Sequence, residues 1–167
     1  MIALKKVLVA TDFSDPSDAA LAYGRELARS FSAQLVVLHV VENTLTGMVA
    51  ANGYVFTDPD LQKTVEAAGQ RRVESLLGAE DRVMLRAQAV IVISNAPSAA
   101  IVEYAKDSGV DLIVIGTHGR GVMAHFLLGS VAERIVRIAP CPVLTVRHPE
   151  REFVLPDALV AVTLAGR

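Results

Sequence analysis

The sequence predicts an α/β domain: an open, five-stranded parallel sheet with helices on both faces. Three observations predict it. Five short apolar runs alternate with segments whose apolar residues recur at helical spacing, the order that right-handed crossovers and a parallel sheet require. The chain is 52% hydrophobic but only 5% aromatic, with no Trp; its Ala, Val, Leu and Ile suit strands buried on both faces. Its 167 residues are enough for one domain with a full core.

Lys6–Ala10 (KVLVA) reads as the first buried strand. Asp15 and Pro16 follow as an N-cap candidate and a proline at the first helical position, with Asp18 in the first turn. Ala20, Leu21, Leu27, Ala28 and Phe31 carry that helix to about Ser30. Gln34–Val41 (QLVVLHVV) is a second buried strand. Asn43–Asp60, with Gly47, Gly53 and Pro59, reads as a long loop, and Leu61–Leu77 as the second helix. Val83–Ile93 is expected to be the third strand. Asn95–Pro97 turns into a helix through Ile101, Ala105 and Lys106, stopped at Gly109. Val110–Ile115 is the fourth strand, Ser130–Ile138 a helix ended by Pro140, and Pro142–Val146 the fifth strand. The expected domain is 1–148. The tail 149–167 does not fit the alternation, although Ala158–Ala165 is apolar enough to need burial.

Composition narrows the function. The formal net charge is -2, which gives no reason to expect nucleic acid or an anionic membrane as partner. One cysteine, Cys141, excludes an intrachain disulfide, and no oxidising compartment is called for. No apolar run is long enough for a signal peptide or a membrane span, so a cytoplasmic protein is expected. No G-x-x-x-x-G-K-[ST] motif occurs, no G-x-G-x-x-G follows the first strand, and no G-x-S-x-G elbow is present. A phosphoacceptor receiver domain is excluded as well: the third strand ends in Ser94-Asn95 and the fifth in Arg147-His148, where such a domain needs an acid and a lysine.

Ligands of open α/β sheets sit outside the carboxyl ends of strands, where strand order reverses. After the fourth strand comes Gly116-Thr117-His118-Gly119-Arg120-Gly121, and Gly129-Ser130 opens the next helix. Glycines let backbone approach a phosphate, and a helix start favours an anion. The same glycines could instead make only a turn and a tight helix–strand contact. Ser130 could be an N-cap, a phosphate donor, or both. Asp12, just past the first strand, could accept hydrogen bonds from an adenine amino group or a ribose hydroxyl, or could serve the local turn and cap. Val40 could offer backbone groups to a base or be core alone. Arg120 could balance phosphate charge. His118 and His125 are not spaced as a ligand pair with any carboxylate or Cys, so no protein-only metal site is expected. Cys141, between two prolines, reads as packing rather than as a nucleophile.

The run Gly116–Ser130 reads G-x2-G-x9-G-S. With VDLIVIGTHGRG before Val122, SVAERIVRIAPCPVLTVRHP after Gly129, KVLVATDFS, LVVLHVVE and the helix after Pro97, it resembles the universal stress protein family over about residues 4–148. The resemblance implies a Rossmann-like five-stranded parallel sheet and a homodimer formed through the last strand. In that family the glycine pattern goes with members that bind ATP. It assigns Asp12 and Val40 to the adenine and ribose region, with Thr11 in the same stretch. Gly116, Gly119, Gly129, Ser130 and Val131 would line the ribose and phosphates, with His118 and Arg120 in the same loop. Mg²⁺ or Mn²⁺ could accompany the phosphates. Asn95 replaces a glycine common in the family; Asn tolerates a left-handed turn. Neither Asn43–Asp60 nor the tail inherits a role. The expected function is that of an ATP-binding stress or signalling protein. A dimeric interaction module without nucleotide, or a slow ATPase, is the alternative, and no general base beside the phosphate loop can be named.

Overall fold

A computed structural model describes residues 2–45, 48–49, 55–56, 59–117 and 129–147. Seven strands and five helices follow one another along these residues. The strands are β1 (Lys6–Ala10), β2 (Gln34–Val41), β3 (Met48–Val49), β4 (Val55–Phe56), β5 (Gln88–Ile93), β6 (Leu112–Gly116) and β7 (Val143–Val146). The helices are α1 (Asp15–Phe31), α2 (Pro59–Ser75), α3 (Ala79–Met84), α4 (Pro97–Asp107) and α5 (Ser130–Ile138). Five strands form one parallel sheet in the order β5-β2-β1-β6-β7. The chain therefore starts in the middle, builds outward through β2 and β5, then crosses back to β6 beside β1.

Alternation along each strand divides the core in two. Val7 and Val9 of β1, Leu35 and Val37 of β2, and Val114 of β6 pack with Ala20, Leu21 and Ala28 of α1 and Val73 of α2. Leu8 and Ala10, Val36 and Leu38, Ile113 and Ile115 point the other way, onto Ile101 and Ala105 of α4 and Ala132 and Ile135 of α5. Both faces are covered, as the apolar strand runs demanded.

Several boundaries differ from the sequence expectation. The run Val83–Ile93 is not one strand. Val83 and Met84 belong to α3 and stand 75% and 67% exposed, while the strand begins only at Gln88. The cause is Asp81, a buried carboxylate that accepts the Gly78 N–H at 3.1 Å and Arg25 Nε and Nη2 at 3.0–3.1 Å. It fixes a short helix against α1 that no apolar period announces. The stretch Asn43–Asp60 carries the antiparallel β3–β4 ladder, and α2 starts at Pro59, since proline is favoured in a first turn. The N-cap of α1 is Ser14 rather than Asp15. Ser17 Oγ, reaching back to the start of α1, accepts the Ser14 N–H at 3.0 Å, which moves the helix boundary back by one residue. The fourth and fifth strands begin at Leu112 and Val143. Gly109 does stop α4, with φ +63°, a conformation glycine adopts without penalty. The tail 149–167 lies outside the described residues.

The approach of α1 to the sheet is set by Gly24, where an added Cβ would lie 2.3 Å from Val9 Cγ2, a fully buried methyl. Gly24→Ala should destabilise the protein by roughly 1–3 kcal/mol through overpacking. Adding Val9→Ala to that chain should recover part of the loss, although Val9→Ala alone is itself destabilising. Urea unfolding of the two single variants and the double variant measures this as a coupling energy.

Candidate functional site

Where strand order reverses, between β1 and β6, no crossover among the described residues covers the strand ends. A cavity of about 420 Å³ opens there. Its floor comes from the ends of the three central strands: Thr11 and Asp12 past β1, Leu38 to Val40 of β2, and Ile115 to Thr117 of β6. Gly129 to Ala132, the start of α5, form one wall, and Pro97 and Ile101 of α4 contribute to another. Seven of the sequence candidates are thus brought together: Thr11, Asp12, Val40, Gly116, Gly129, Ser130 and Val131. His118, Gly119 and Arg120 lie outside the described residues, as does His125.

The α5 wall is a helix N-terminus. Gly129 is the N-cap, with φ −68° and ψ 153°; its N–H donates to the Thr117 carbonyl. Ser130 is therefore the first helical residue and not the cap, because the extended conformation of a cap already falls on Gly129. It is exposed. The Glu133 N–H closes the first intrahelical bond, to Gly129 O at 2.9 Å. The N–H groups of Ser130, Val131 and Ala132 precede it, where helix geometry supplies no intrahelical acceptor. These donors and the positive end of the helix dipole face the cavity.

The opposite end is a turn braced by its own side chains. Asp12 Oδ1 accepts the Ser14 N–H at 3.2 Å and the Ser14 hydroxyl at 2.5 Å. The Thr11 hydroxyl accepts the Phe13 N–H at 3.0 Å and lies 3.1 Å from Ser17 Oγ. Asp12 thus does the turn work considered for it while also lining the cavity. Between the two ends runs the backbone of β2. The Leu38 carbonyl, turned toward β1, accepts the Thr11 N–H at 2.9 Å. Alternate residues of a strand turn their backbone groups the same way, so those of Val40 face the same side, past the end of β1.

Gly116 has a packing reason to be glycine. A Cβ there would meet the Pro16 backbone carbon at 2.7 Å and oxygen at 2.8 Å, so α1 sits directly on the end of β6. Of the two roles considered for this glycine, the tight helix–strand contact is realised, at a position that also lines the cavity. Three polar lining residues escaped the sequence reading: Ser17, His39 and Thr117. Ser17 and Thr117 are buried hydroxyls, and His39 Nδ1 lies 2.8 Å from the Thr11 carbonyl, which makes that nitrogen the donor. A polar residue inside an otherwise apolar strand was the signal available for His39. Cys141, just before β7 and packed against the α4 and α5 core, is half-buried, and burial pushes its thiol up, with the Asp111 charge acting the same way and a backbone bond from Ile113 opposing. That suits a packing residue.

Among the described residues, no group of three His, Cys, Asp or Glu is placed to hold a metal ion, and no helix is long and apolar enough to cross a membrane.

The profile of the universal stress protein family matches residues 3–147. A universal stress protein of Methanocaldococcus jannaschii is 31% identical over 151 residues, covering 89% of this chain and 85% of its own. Among solved structures, a universal stress protein of Lactobacillus plantarum superposes with a TM-score of 0.69 at 25% identity, over 88% of this chain and all of that one. A universal stress protein in complex with cAMP superposes with a TM-score of 0.56 at 28% identity, over 87% and 98% of the two chains.

Replacing Gly116 by Ala should cost about 1–3 kcal/mol, because the obstructing atoms are backbone and cannot rotate away. Asp12→Ala should cost about 0.5–2 kcal/mol through the lost turn bonds, and Asp12→Asn less, since the amide oxygen still accepts. Thermal unfolding of the three variants beside the parent protein checks both rankings.

Proposed function

This chain belongs to the universal stress protein family, and we propose that it binds ATP in the crevice between β1, β6 and α5, as a nucleotide-responsive stress or signalling protein of the cytoplasm. The observation that carries the reading is the α5 N-terminus opening into a cavity of ligand size: pockets for small molecules run from about 300 to 1,000 Å³. Donors at such a helix start suit phosphate. The backbone of Val40 suits the edge of a base, and Asp12 with Thr11 suits ribose or adenine. By the family resemblance Gly119, from the segment between β6 and α5, would line the ribose and phosphates, with His118 and Arg120 in the same loop and Arg120 balancing phosphate charge; Mg²⁺ or Mn²⁺ could accompany the phosphates. The cAMP complex of a family member supports an adenine nucleotide as the ligand class.

The bound nucleotide would act through linkage. A ligand that binds only the folded state adds about 2.7 kcal/mol of stability at a concentration one hundred times its Kd. ATP should therefore raise the unfolding temperature, and denaturing the purified protein should release co-purified nucleotide. Gly129→Val is the discriminating variant. Its φ and ψ are open to any residue, so the fold should survive with the modest loss of a poorer N-cap, while the added side chain fills space that phosphate needs. Calorimetric titration with Mg-ATP should show binding to the parent and at least tenfold weaker binding to the variant, an estimate of about 1.4 kcal/mol or more. No heat and no thermal shift with the parent protein would remove the proposal.

The same reading includes a homodimer through the last strand. Among the described residues, β7 ends the sheet, with β6 as its one neighbour in strand order. Pro142 and Val146 accept the β6-side N–H groups of Ile113 and Thr117, so the backbone groups of Thr145 turn outward. Thr145→Pro removes an outward N–H and leaves the β6 ladder intact. Light scattering should show a dimer in the parent protein and a shift toward monomer in this variant, with circular dichroism unchanged.

A further inference from the structure

Phe13 is a bulky residue in the left-handed region, with φ +63°, in the turn that carries Asp12. Such a conformation persists only where the surroundings over-determine it; Phe13 packs against the core on the α1 and α2 face, and two polar side chains outside the turn bear on its ring. The His39 ring, from β2, lies 4.4 Å centroid to centroid from the Phe13 ring, tilted by 49°. Its Nδ1–H donates to the carbonyl of Thr11, 2.8 Å away. The Arg72 guanidinium, from α2, sits 4.0 Å from the centre of the same phenyl ring, within cation–π range. His39 touches both sides of the turn: it lines the crevice, and with Phe13 and Arg72 it also lines a smaller hollow of about 220 Å³ beneath α2.

We propose that His39 and Arg72 are positioning residues for the crevice: by clamping Phe13 they hold the turn that presents Thr11 and Asp12, and so tie the ligand end of β1 to helix α2. The physical route is short. Thr11 and Phe13 flank Asp12 directly, so fixing the Thr11 carbonyl and the Phe13 ring leaves the Asp12 backbone little freedom. The Asp12 carboxylate then keeps its bonds to Ser14. Without the clamp, Phe13 should relax out of the left-handed region and carry Asp12 with it. Insofar as Asp12 is a nucleotide contact, this inference rests on the ATP reading; the hold on the turn does not.

The test uses the full chain and three readouts: exchange of the Phe13 and Ser14 amide hydrogens without ligand, the Kd for Mg-ATP, and the urea midpoint. Arg72→Met keeps the length of an exposed side chain and removes the cation, so it should fold normally. His39→Leu removes both the ring contact and the donor. Both variants should speed exchange at Phe13 and Ser14 selectively, by about tenfold or more in His39→Leu, with amides of the central strands unaffected. ATP should bind about three- to tenfold more weakly. Phe13→Gly accepts the left-handed backbone without a clamp, so adding Arg72→Met to Phe13→Gly should change nothing further. Parent-like exchange at both amides in His39→Leu and Arg72→Met would overturn the inference, as would an Arg72→Met effect that persists in the Phe13→Gly chain. Absence of ATP binding by the parent protein would count against the nucleotide reading alone, because the exchange measurements still decide whether the clamp exists.

Discussion

Parallel strands cannot be joined by a tight turn; each successive strand is reached by a crossover, and crossovers have one hand. A chain that begins in the middle of a parallel sheet and grows outward in both directions must therefore reverse once. In this protein the reversal falls between β1 and β6. The helices on either side diverge there, α1 to one face and α5 to the other, and neither covers the strand ends. The cavity, its helix N-terminus and its carboxylate are all consequences of that one topological event. The apolar strands secure it: β1, β2 and β6 are buried on both faces, as a parallel sheet covered by helices on each side requires.

The crevice is also held by contacts that would exist without a ligand. Gly116 lets the first turn of α1 rest on the end of β6, and the Thr11–Ser17 hydroxyl pair ties the same turn of α1 to the end of β1. One helix start thus bridges the two strands between which the sheet reverses. Glycine at 116 is required for that bridge before any ligand is considered, and closeness of backbone to backbone is what leaves the β6 end open to the crevice. Packing and binding are not competing explanations of this residue.

Much of this architecture was legible in the chain because the strand runs are apolar on both faces and helices are punctuated by Pro16, Pro97, Gly109 and Pro140. The expected sheet, its direction and five main strands follow from that punctuation alone. The misread stretch, Val83–Ile93, shows what periodicity cannot report. Val83 and Met84 are apolar yet exposed, and their helix is held because a buried carboxylate on that same helix, Asp81, meets Arg25 of α1. That partnership spans 56 positions and leaves no local mark. Within the site, the glycine and Asp12 positions were legible as loop residues after strands. Ser17, His39 and Thr117 were not, because a hydroxyl in a helix start and a histidine in a strand look the same whether they face a crevice or a neighbour.

The two ends of the crevice differ in electrical sign, and that difference constrains any ligand it takes. The α5 end offers backbone donors at the positive pole of a helix. The β1 end offers a carboxylate whose Oδ1 is already committed to Ser14. A phosphate placed beside Asp12 would set like charges about 4 Å apart, a repulsion of about 4 kcal/mol at an effective dielectric constant of 20. At the α5 end the same phosphate would be stabilised. An asymmetric ligand with an anionic tail and a neutral hydrogen-bonding head therefore has one favourable orientation, tail to α5 and head to Asp12. A nucleotide has that polarity. A simple anion lacks the head, and for it the Asp12 end contributes nothing but repulsion; under the proposed reading, discrimination between nucleotide and bare phosphate would reside in the β1 turn rather than in the glycines.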